Sequence, residues 1–578
     1  MTERDDARAY LPRFSARSAA LYVSIPLLLG TISLVGIGGS LGGVVGYLPT
    51  AAVDVVLSFV RMSAAYAASL GFALAYGYYA ATRRTGERVM IPVLDILQSV
   101  PILGFFPVAI YFFVGLTPTV HWLGPNIASV FLIFTSMAWN MVFGVYESLK
   151  TLPNELKEAA DTFGLHGAVR FRRVLFPATI NRLVYNSVLS WTGGWFFLVE
   201  AEIFTTNTSP LRGIGSYLSI AASGHNAEAF LAGIIVLVTV IALLDFVVWR
   251  PLGRLAERYR YDTSPSGESS LVTPTRDTFG RFHRAAAYVT RGVRTSVSRI
   301  STPLVQLASI TVRPVRRPSE FQRSAFYYLA LGAILVIVWL MLIAIIISVF
   351  HVFTGPISGS VRHQIFELPF AMGASTLRIA AAYAICLGAT LPLAIYIARR
   401  PGASRVGLPL IEVIASFPAT ALFPVIVFEL IPYLGSEGAS VLMLLTGMIW
   451  YLFFNLLAGV RSLAPDLEEA ARSFGLKGRQ FFRRVLLPGI FPALVTGSIT
   501  AFGGGWNTLI VAEYLHVGAA QSLSVLGIGQ QIDIGYSEPG GTPLMVAALF
   551  TLVASVIVIN EVIWKPLYRR AADRFRYD

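Results

Sequence analysis

At 578 residues, 55% hydrophobic and only 13% charged, the chain is too apolar to keep its whole surface in water, since soluble domains carry about twice that share of charge. Its net charge of +13 sits in arginines clustered between apolar runs rather than along a stripe, which argues against a nucleic-acid groove. A single cysteine, Cys386, excludes a disulfide framework and a thiolate metal cluster.

In chain order, residues 1–18 are mixed in charge and lack the basic-then-apolar order of a cleavable signal; they are expected to be a cytoplasmic leader. Apolar runs long enough to cross about 30 Å of hydrocarbon as helix then fall near 19–39, 58–80, 90–115, 126–147, 178–201 and 229–249. A second series falls near 326–350, 371–398, 406–432, 439–460, 489–512 and 543–564. The predicted fold is an all-α polytopic membrane protein of about 12 spans, arranged as two parallel six-helix halves. Arg83, Arg84 and Arg88 follow the second run, and Arg399, Arg400 and Arg405 stand at the equivalent place in the second series. The alternate connections 40–57 and 116–125 carry no Arg or Lys. The positive-inside rule therefore puts both termini and the middle linker on the cytoplasmic side.

The two series are copies. WTGGWFFLVEAE from Trp191 matches FGGGWNTLIVAE from Phe502, and RVMIPVLDILQSVPILGFFPV from Arg88 matches RVGLPLIEVIASFPATALFPV from Arg405. WRPLGRLAERYRYD ends at Asp262, and WKPLYRRAADRFRYD ends at Asp578. An even number of spans per copy inserts both in one orientation, related by an axis along the membrane normal. The expected domains are a leader (1–18), a first repeat (19–262), a basic cytoplasmic linker (263–325) and a second repeat (326–578). In the linker region Phe279, Phe282, Ala286, Val289, Val293, Val297 and Ile300 recur at helical spacing with arginines between them. That pattern favours an amphipathic helix lying on anionic lipid headgroups over a flexible solvated tether.

The most detailed match is charged. EAADTFGLHGAVRFRRVLFPA begins at Glu158, and EAARSFGLKGRQFFRRVLLPG begins at Glu469, within loops near 153–177 and 465–488. Leu156, Ala159, Ala160 and Phe163 fall at i, i+3, i+4 and i+7, as do Leu467, Ala470, Ala471 and Phe474, giving one face of a short helix. Pro153 and Pro465 suit its start, and Gly164 and Gly475 offer the left-handed residue that ends it. A second helical piece follows, with Phe171, Val174 and Leu175 apolar and Arg172 and Arg173 facing elsewhere; Arg483 and Arg484 are the counterparts. Pro177 and Pro488 are expected to mark the turn into the next span. Each copy predicts a compact docking knob, small-residued on one side and charged on the other.

The pattern EAA-x3-G-x12-P resembles the coupling loop of permease subunits of binding-protein-dependent ABC importers, and the resemblance covers nearly all of both halves. LQSVPILGFFPVAIYFFVGL and the ends of the fifth spans look most like the nitrate, sulfonate and taurine branch, in its duplicated form. The resemblance implies a type I importer fold and a pathway for a small anion. It further implies two cytoplasmic ABC ATPase subunits and an extracytoplasmic solute-binding protein as partners. Glu158, Ala159, Ala160, Gly164, Arg172 and Arg173 would meet one ATPase; Glu469, Ala470, Ala471, Gly475, Arg483 and Arg484 would meet the other. Phe176 departs from the Leu usual in that motif, which Leu487 keeps.

With lysines only at 150, 157, 477 and 565, no Gly-Lys dipeptide and hence no Walker A loop exists in this chain. No catalytic, cofactor or metal constellation presents itself, so a non-enzymatic membrane component is expected. Glu202 and Glu513 match near the outward ends of the fifth spans; they either bond between helices or line the outer mouth, with Trp195 and Trp506 as weaker pathway candidates. The glycines beside those tryptophans are expected to allow close helix approach at the pseudo-symmetry axis. The competing function is an ion-gradient-driven secondary transporter or channel, which tolerates parallel repeats but gives no reason for twinned knobs.

Overall fold

The computed structural model describes residues 41–99, 101–117, 119–165, 167–205, 211–259, 359–517 and 521–574. The expected leader, the opening spans near 19–39 and 326–350, and the basic linker with its amphipathic pattern lie outside the described residues. The chain divides into one unit of Met1–Thr273 with Arg362–Asp578 and another of Pro274–Val361. The first unit holds the described parts of both repeats except residues 359–361.

Among the described residues, seven helical stretches are long and apolar enough to cross a membrane: Gly42–Thr82, Leu123–Lys150, Ala227–Tyr259, Gly359–Arg399, Ala419–Arg461, Gly478–Glu513 and Thr542–Ala571. Of these, Ala419–Arg461 is two helices joined at Gly435, which takes φ 69°, ψ 170°. The 30-residue helix Phe176–Thr205 holds the place in the first repeat that Leu487–Glu513 holds in the second. It carries Arg182, Glu200 and Glu202, which lower its hydropathy, and the two glutamates are buried in protein rather than exposed on its outer face.

Within the first repeat Leu41–Thr82 packs on Leu123–Lys150, which in turn packs on Phe176–Thr205. In the second, Ile431–Arg461 packs along Leu487–Glu513. Small residues set the spacing. A Cβ on Gly194 would meet the Met137 side chain at 2.3 Å, and one on Gly505 would meet the Met448 sulfur at 3.0 Å. Both contacts lie inside a repeat. Gly194, Gly504 and Gly505 therefore serve packing within each half, not at the axis between halves as their sequence suggested, while Gly193 and Gly503 meet no neighbour among the described residues.

The runs near 90–115 and 406–432, read as single spans, are broken. The helix Arg84–Ser99 stops before Pro101, a 3-10 turn follows over Ile102–Phe105, and a new helix runs from Phe106 to Leu116. In the second repeat Pro401–Ser416 stops at Phe417, which is extended at φ −78°, ψ 130°, before the 3-10 turn Ala419–Leu422. Proline has no N–H to continue the ladder and pushes the residue before it out of the α region. Pro101 and Pro418 thus cut both helices at the same place.

Among the described residues, one small sheet interrupts the helices. Tyr514–Val517 pairs antiparallel with Gln521–Ser524, Tyr514 opposite Ser524, immediately after the second fifth span.

Candidate functional site

The two charged segments fold alike. Asn154–Thr162 and Pro465–Ser473 are nine-residue helices, the first preceded by Pro153 and the second with Pro465 in its first turn. Each ends in the same hydrogen-bond set. The N–H of Leu165 donates to the Ala160 carbonyl across 2.9 Å, and that of Leu476 donates to Ala471 across 2.9 Å. Gly164 (φ 63°) and Gly475 (φ 71°) take the left-handed conformation this termination requires.

Burial sorts the expected residues. Ala160 and Ala471 are buried beneath the knob, while Glu158 and Glu469, Gly164 and Gly475, and Arg172, Arg173, Arg483 and Arg484 are exposed. Ala159 is half-buried and Ala470 exposed. Phe163 and Phe474, on the same helical face, are 79% and 83% exposed. In the first knob Leu156, Ala159, Phe163 and Leu165 line an open cleft of about 170 Å³, flanked by Arg173 and Val174. A large aromatic beside an apolar cleft and a free carboxylate has the makings of a docking surface.

The second helical piece does not turn at its proline. Gly167–Arg170 and Gly478–Phe481 each run into a π turn, Phe171–Leu175 and Phe482–Leu486, which continues directly into the fifth span. The i→i+5 spacing accommodates the missing N–H of Pro177 and Pro488, so the helix continues through them. In the second repeat Gly478–Glu513 is one helix of 36 residues, on the order of 50 Å at 1.5 Å per residue. Its first turn belongs to the knob and its last residue is Glu513.

At that far end lies a network the sequence reading only half found. Glu202 is fully buried; Arg61 Nη1 lies 2.6 Å from its Oε1, the Ser58 hydroxyl donates across 2.7 Å, and the Gly215 N–H donates to Oε2 across 2.8 Å. The Ile214 N–H donates to Ser58 Oγ across 2.9 Å. The carboxylate thereby holds the first turn of Ile214–Ser223 while the arginine ties it to Leu41–Thr82. In the second repeat Arg378 bonds Glu513, the Ser375 hydroxyl donates to Glu513 across 2.6 Å, and the Gly529 N–H donates across 2.8 Å. Ile528 N–H reaches Ser375 Oγ at 2.9 Å. The flanking glycines follow from crowding. A Cβ on Gly213 or Gly527 would stand 2.3 or 2.2 Å from the carboxyl carbon of Glu202 or Glu513.

Glu202 and Glu513 thus face closed networks, not an open mouth, and Trp195 and Trp506, at 1% and 4% exposure, are likewise interior. The arginines and serines were missed. Their signal is a Ser-x-x-Arg spacing inside an apolar run, at 58–61 and again at 375–378, where hydrocarbon rejects a lone guanidinium.

The networks differ in one partner. Arg61 Nε donates to Asn126 across 2.7 Å, whereas Arg378 donates to both oxygens of Glu437, each at 2.8 Å.

The repeats meet at their helix breaks. The Ile102 N–H donates to Asn507 Oδ1 across 2.7 Å, so the first break rests on the second repeat's fifth span. Reciprocally, the Thr420 hydroxyl donates to the Phe196 carbonyl across 3.2 Å, and Phe196 packs edge-on against Phe423. Among the described residues, no group of three or more His, Cys, Asp or Glu is placed to hold a metal ion.

A family model for the binding-protein-dependent transport system inner membrane component matches this chain twice, over residues 67–249 and 390–563. The chain is 27% identical over 165 residues to the glycine betaine/proline betaine transport system permease protein ProW of Escherichia coli (strain K12), covering 28% of this chain and 45% of that protein. It is 35% identical over 104 residues to the putative aliphatic sulfonates transport permease protein SsuC of the same strain, covering 18% and 38%. It is 26% identical over 195 residues to the nitrate import permease protein NrtB of Leptolyngbya laminosa, covering 33% and 69%. The chain therefore spans less than half the length of ProW and of SsuC.

Proposed function

Since this multi-pass chain belongs to the family of binding-protein-dependent transport system inner membrane components, with one family match in each repeat, we propose that it forms both halves of an importer's membrane pathway. Each knob docks a separate ATPase subunit on the cytoplasmic side, and both termini lie on that side. A solute-binding protein delivers cargo at the opposite face. The cargo is a small anion or zwitterion of the nitrate, sulfonate or taurine kind.

The observation that carries this reading is the continuous helix from Gly478 to Glu513. A force applied at Glu469 and Phe474 enters its first turn and leaves at the Arg378–Glu513 pair, which holds the helix Ile528–Ser537 on the other side. Helices resist bending, and packed interfaces switch between discrete arrangements rather than deforming smoothly. ATP-driven approach of two ATPase subunits would draw the knobs together and rock the repeats about their shared breaks at Pro101 and Pro418. For directional transport, nucleotide and loaded binding protein must each prefer one of the two arrangements.

The test is biochemical. An ATPase should co-purify with the chain from detergent, and its turnover should rise with the loaded binding protein. The double substitution Glu158→Lys with Glu469→Lys should abolish both while the chain still inserts. Unchanged uptake in that variant would remove the docking role.

A further inference from the structure

Phe196, Glu200 and Phe204 follow one another at i, i+4 and i+8 along the first repeat's fifth span, so they share a face. The two outer residues touch the second repeat: Phe196 packs on Phe423 with ring centroids 6.3 Å apart, and Phe204 packs on Tyr536 at 5.9 Å. Glu200, between them, stands on the seam between the repeats. It is 1% exposed, and neither carboxyl oxygen has a hydrogen-bond partner among the described residues.

A buried carboxyl with no donor and no cation is costly in either protonation state. Folding does not ask for it. The counterpart in the other repeat is Val511, an apolar residue that is 2% exposed. The group differs in this from Glu202 two residues on, whose oxygens are fully engaged. A polar side chain that the fold carries without using is explained by something that meets it when the seam opens.

We propose that Glu200 is a solute-contacting residue of the pathway, and that with its aromatic neighbours it favours a solute bearing an ammonium group over a bare oxyanion. The proposal rests on the importer reading above and narrows its cargo to zwitterions. A carboxylate accepts from an ammonium N–H and repels an oxyanion. Phenyl faces add attraction for a cation and nothing for an anion. Phe196, Phe204, Phe423 and Tyr536 supply those rings on both sides of Glu200.

The experiment uses thiol reagents of opposite charge, so no cargo need be known. In a Cys386→Ala background the full chain is purified with its ATPase and probed nucleotide-free and vanadate-trapped. Glu200→Cys should be modified at least about tenfold faster in one state than in the other; modification in neither state overturns the pathway assignment. Phe196→Cys, with Glu200 retained, is then treated with an ammonium-bearing and a sulfonate-bearing methanethiosulfonate. The ratio of the two rates should fall about tenfold when Glu200→Gln is added, the size a nearby charge gives in a partly desolvated site. An unchanged ratio overturns the charge preference, and Phe204→Cys serves if Phe196→Cys does not fold. The charge ratio is readable on the chain alone. Failure of an ATPase to associate would count against the importer reading without touching it.

Discussion

Arg61 Nη1 stands 2.6 Å from Glu202 Oε1, with the two side chains 8% and 0% exposed, and Arg378 repeats the pairing with Glu513 in the second half. Breaking a buried pair from one side leaves an uncompensated charge and costs about 3–5 kcal/mol. Glu202→Ala and Arg378→Ala should each lower the thermal transition of the detergent-solubilised chain sharply. Arg61→Met with Glu202→Leu should recover much of the loss, because neither charge is then stranded. If the double variant is as unstable as the sum of the singles, the pair is not what these residues contribute.

The second repeat offers a pH effect of definite sign. Burial lifts the Asp533 carboxyl from its ordinary 3.8 to about 7, a hydrogen bond from Ser537 offsetting part of the rise. An acid whose folded value is raised binds its proton more tightly in the native state, so its contribution is greatest below 3.8 and declines as pH climbs through about 7. Asp533→Asn should therefore stabilise the chain at about pH 8, by on the order of 2 kcal/mol, and do far less at about pH 5. Thermal melts at both pH values decide it; equal effects would contradict the assignment.

Glu87 runs the other way. The Lys150 ammonium, at 2.6 Å, and the Tyr146 hydroxyl donate to it and hold its carboxyl below the ordinary 4.5. A lowered carboxylate contributes above its unfolded value and loses that contribution as pH falls through its folded one. The difference in melting temperature between the native chain and Glu87→Gln should be constant near neutrality and vanish below the usual carboxylate range. Arg461 reaches Ser404 at the corresponding place, so Ser404→Ala should show no such acid dependence.

Each knob depends on one left-handed residue. Space is open around Gly164 and Gly475, so Ala meets no clash there, yet it pays about 1–2 kcal/mol for the positive φ. Gly164→Ala and Gly475→Ala together should weaken ATPase association while leaving the melting of the membrane part unchanged; Asn at both places should be milder. Phe163→Ser with Phe474→Ser should weaken association by about tenfold or more, as expected for exposed aromatic anchors. Equal association in all these variants would mean the knobs are not held or read this way.

The duplication, the spans and the knobs were legible because they rest on local pattern: apolar length, helical spacing, and a glycine where a helix must end. The breaks at Pro101 and Pro418 were written in the sequence as well, but hydropathy averages over them, so two interrupted segments passed for continuous spans. Pro177 and Pro488 misled in the opposite direction, since a π turn lets a helix run through. The repeated Ser-x-x-Arg spacing marks the long-range partners, but pattern does not say what they meet. Nothing near Glu202 announces Ser58 or Arg61, and the choice between mouth-lining and helix-bonding turned on which side chains converge in space. Glu200 has no acidic counterpart in the second repeat, where Val511 stands; with the seam in view, that asymmetry is what sets it apart.

The most direct measurement is site-specific cross-linking during uptake, with Phe163→Cys or Phe474→Cys in the Cys386→Ala chain and a short bifunctional thiol reagent. Both positions should give adducts with a nucleotide-hydrolysing subunit, from the cytoplasmic side, at yields that change when ATP is added. Adducts forming only from the exterior, or none to any other polypeptide while solute is moving, would contradict the docking of a separate motor on these twin knobs.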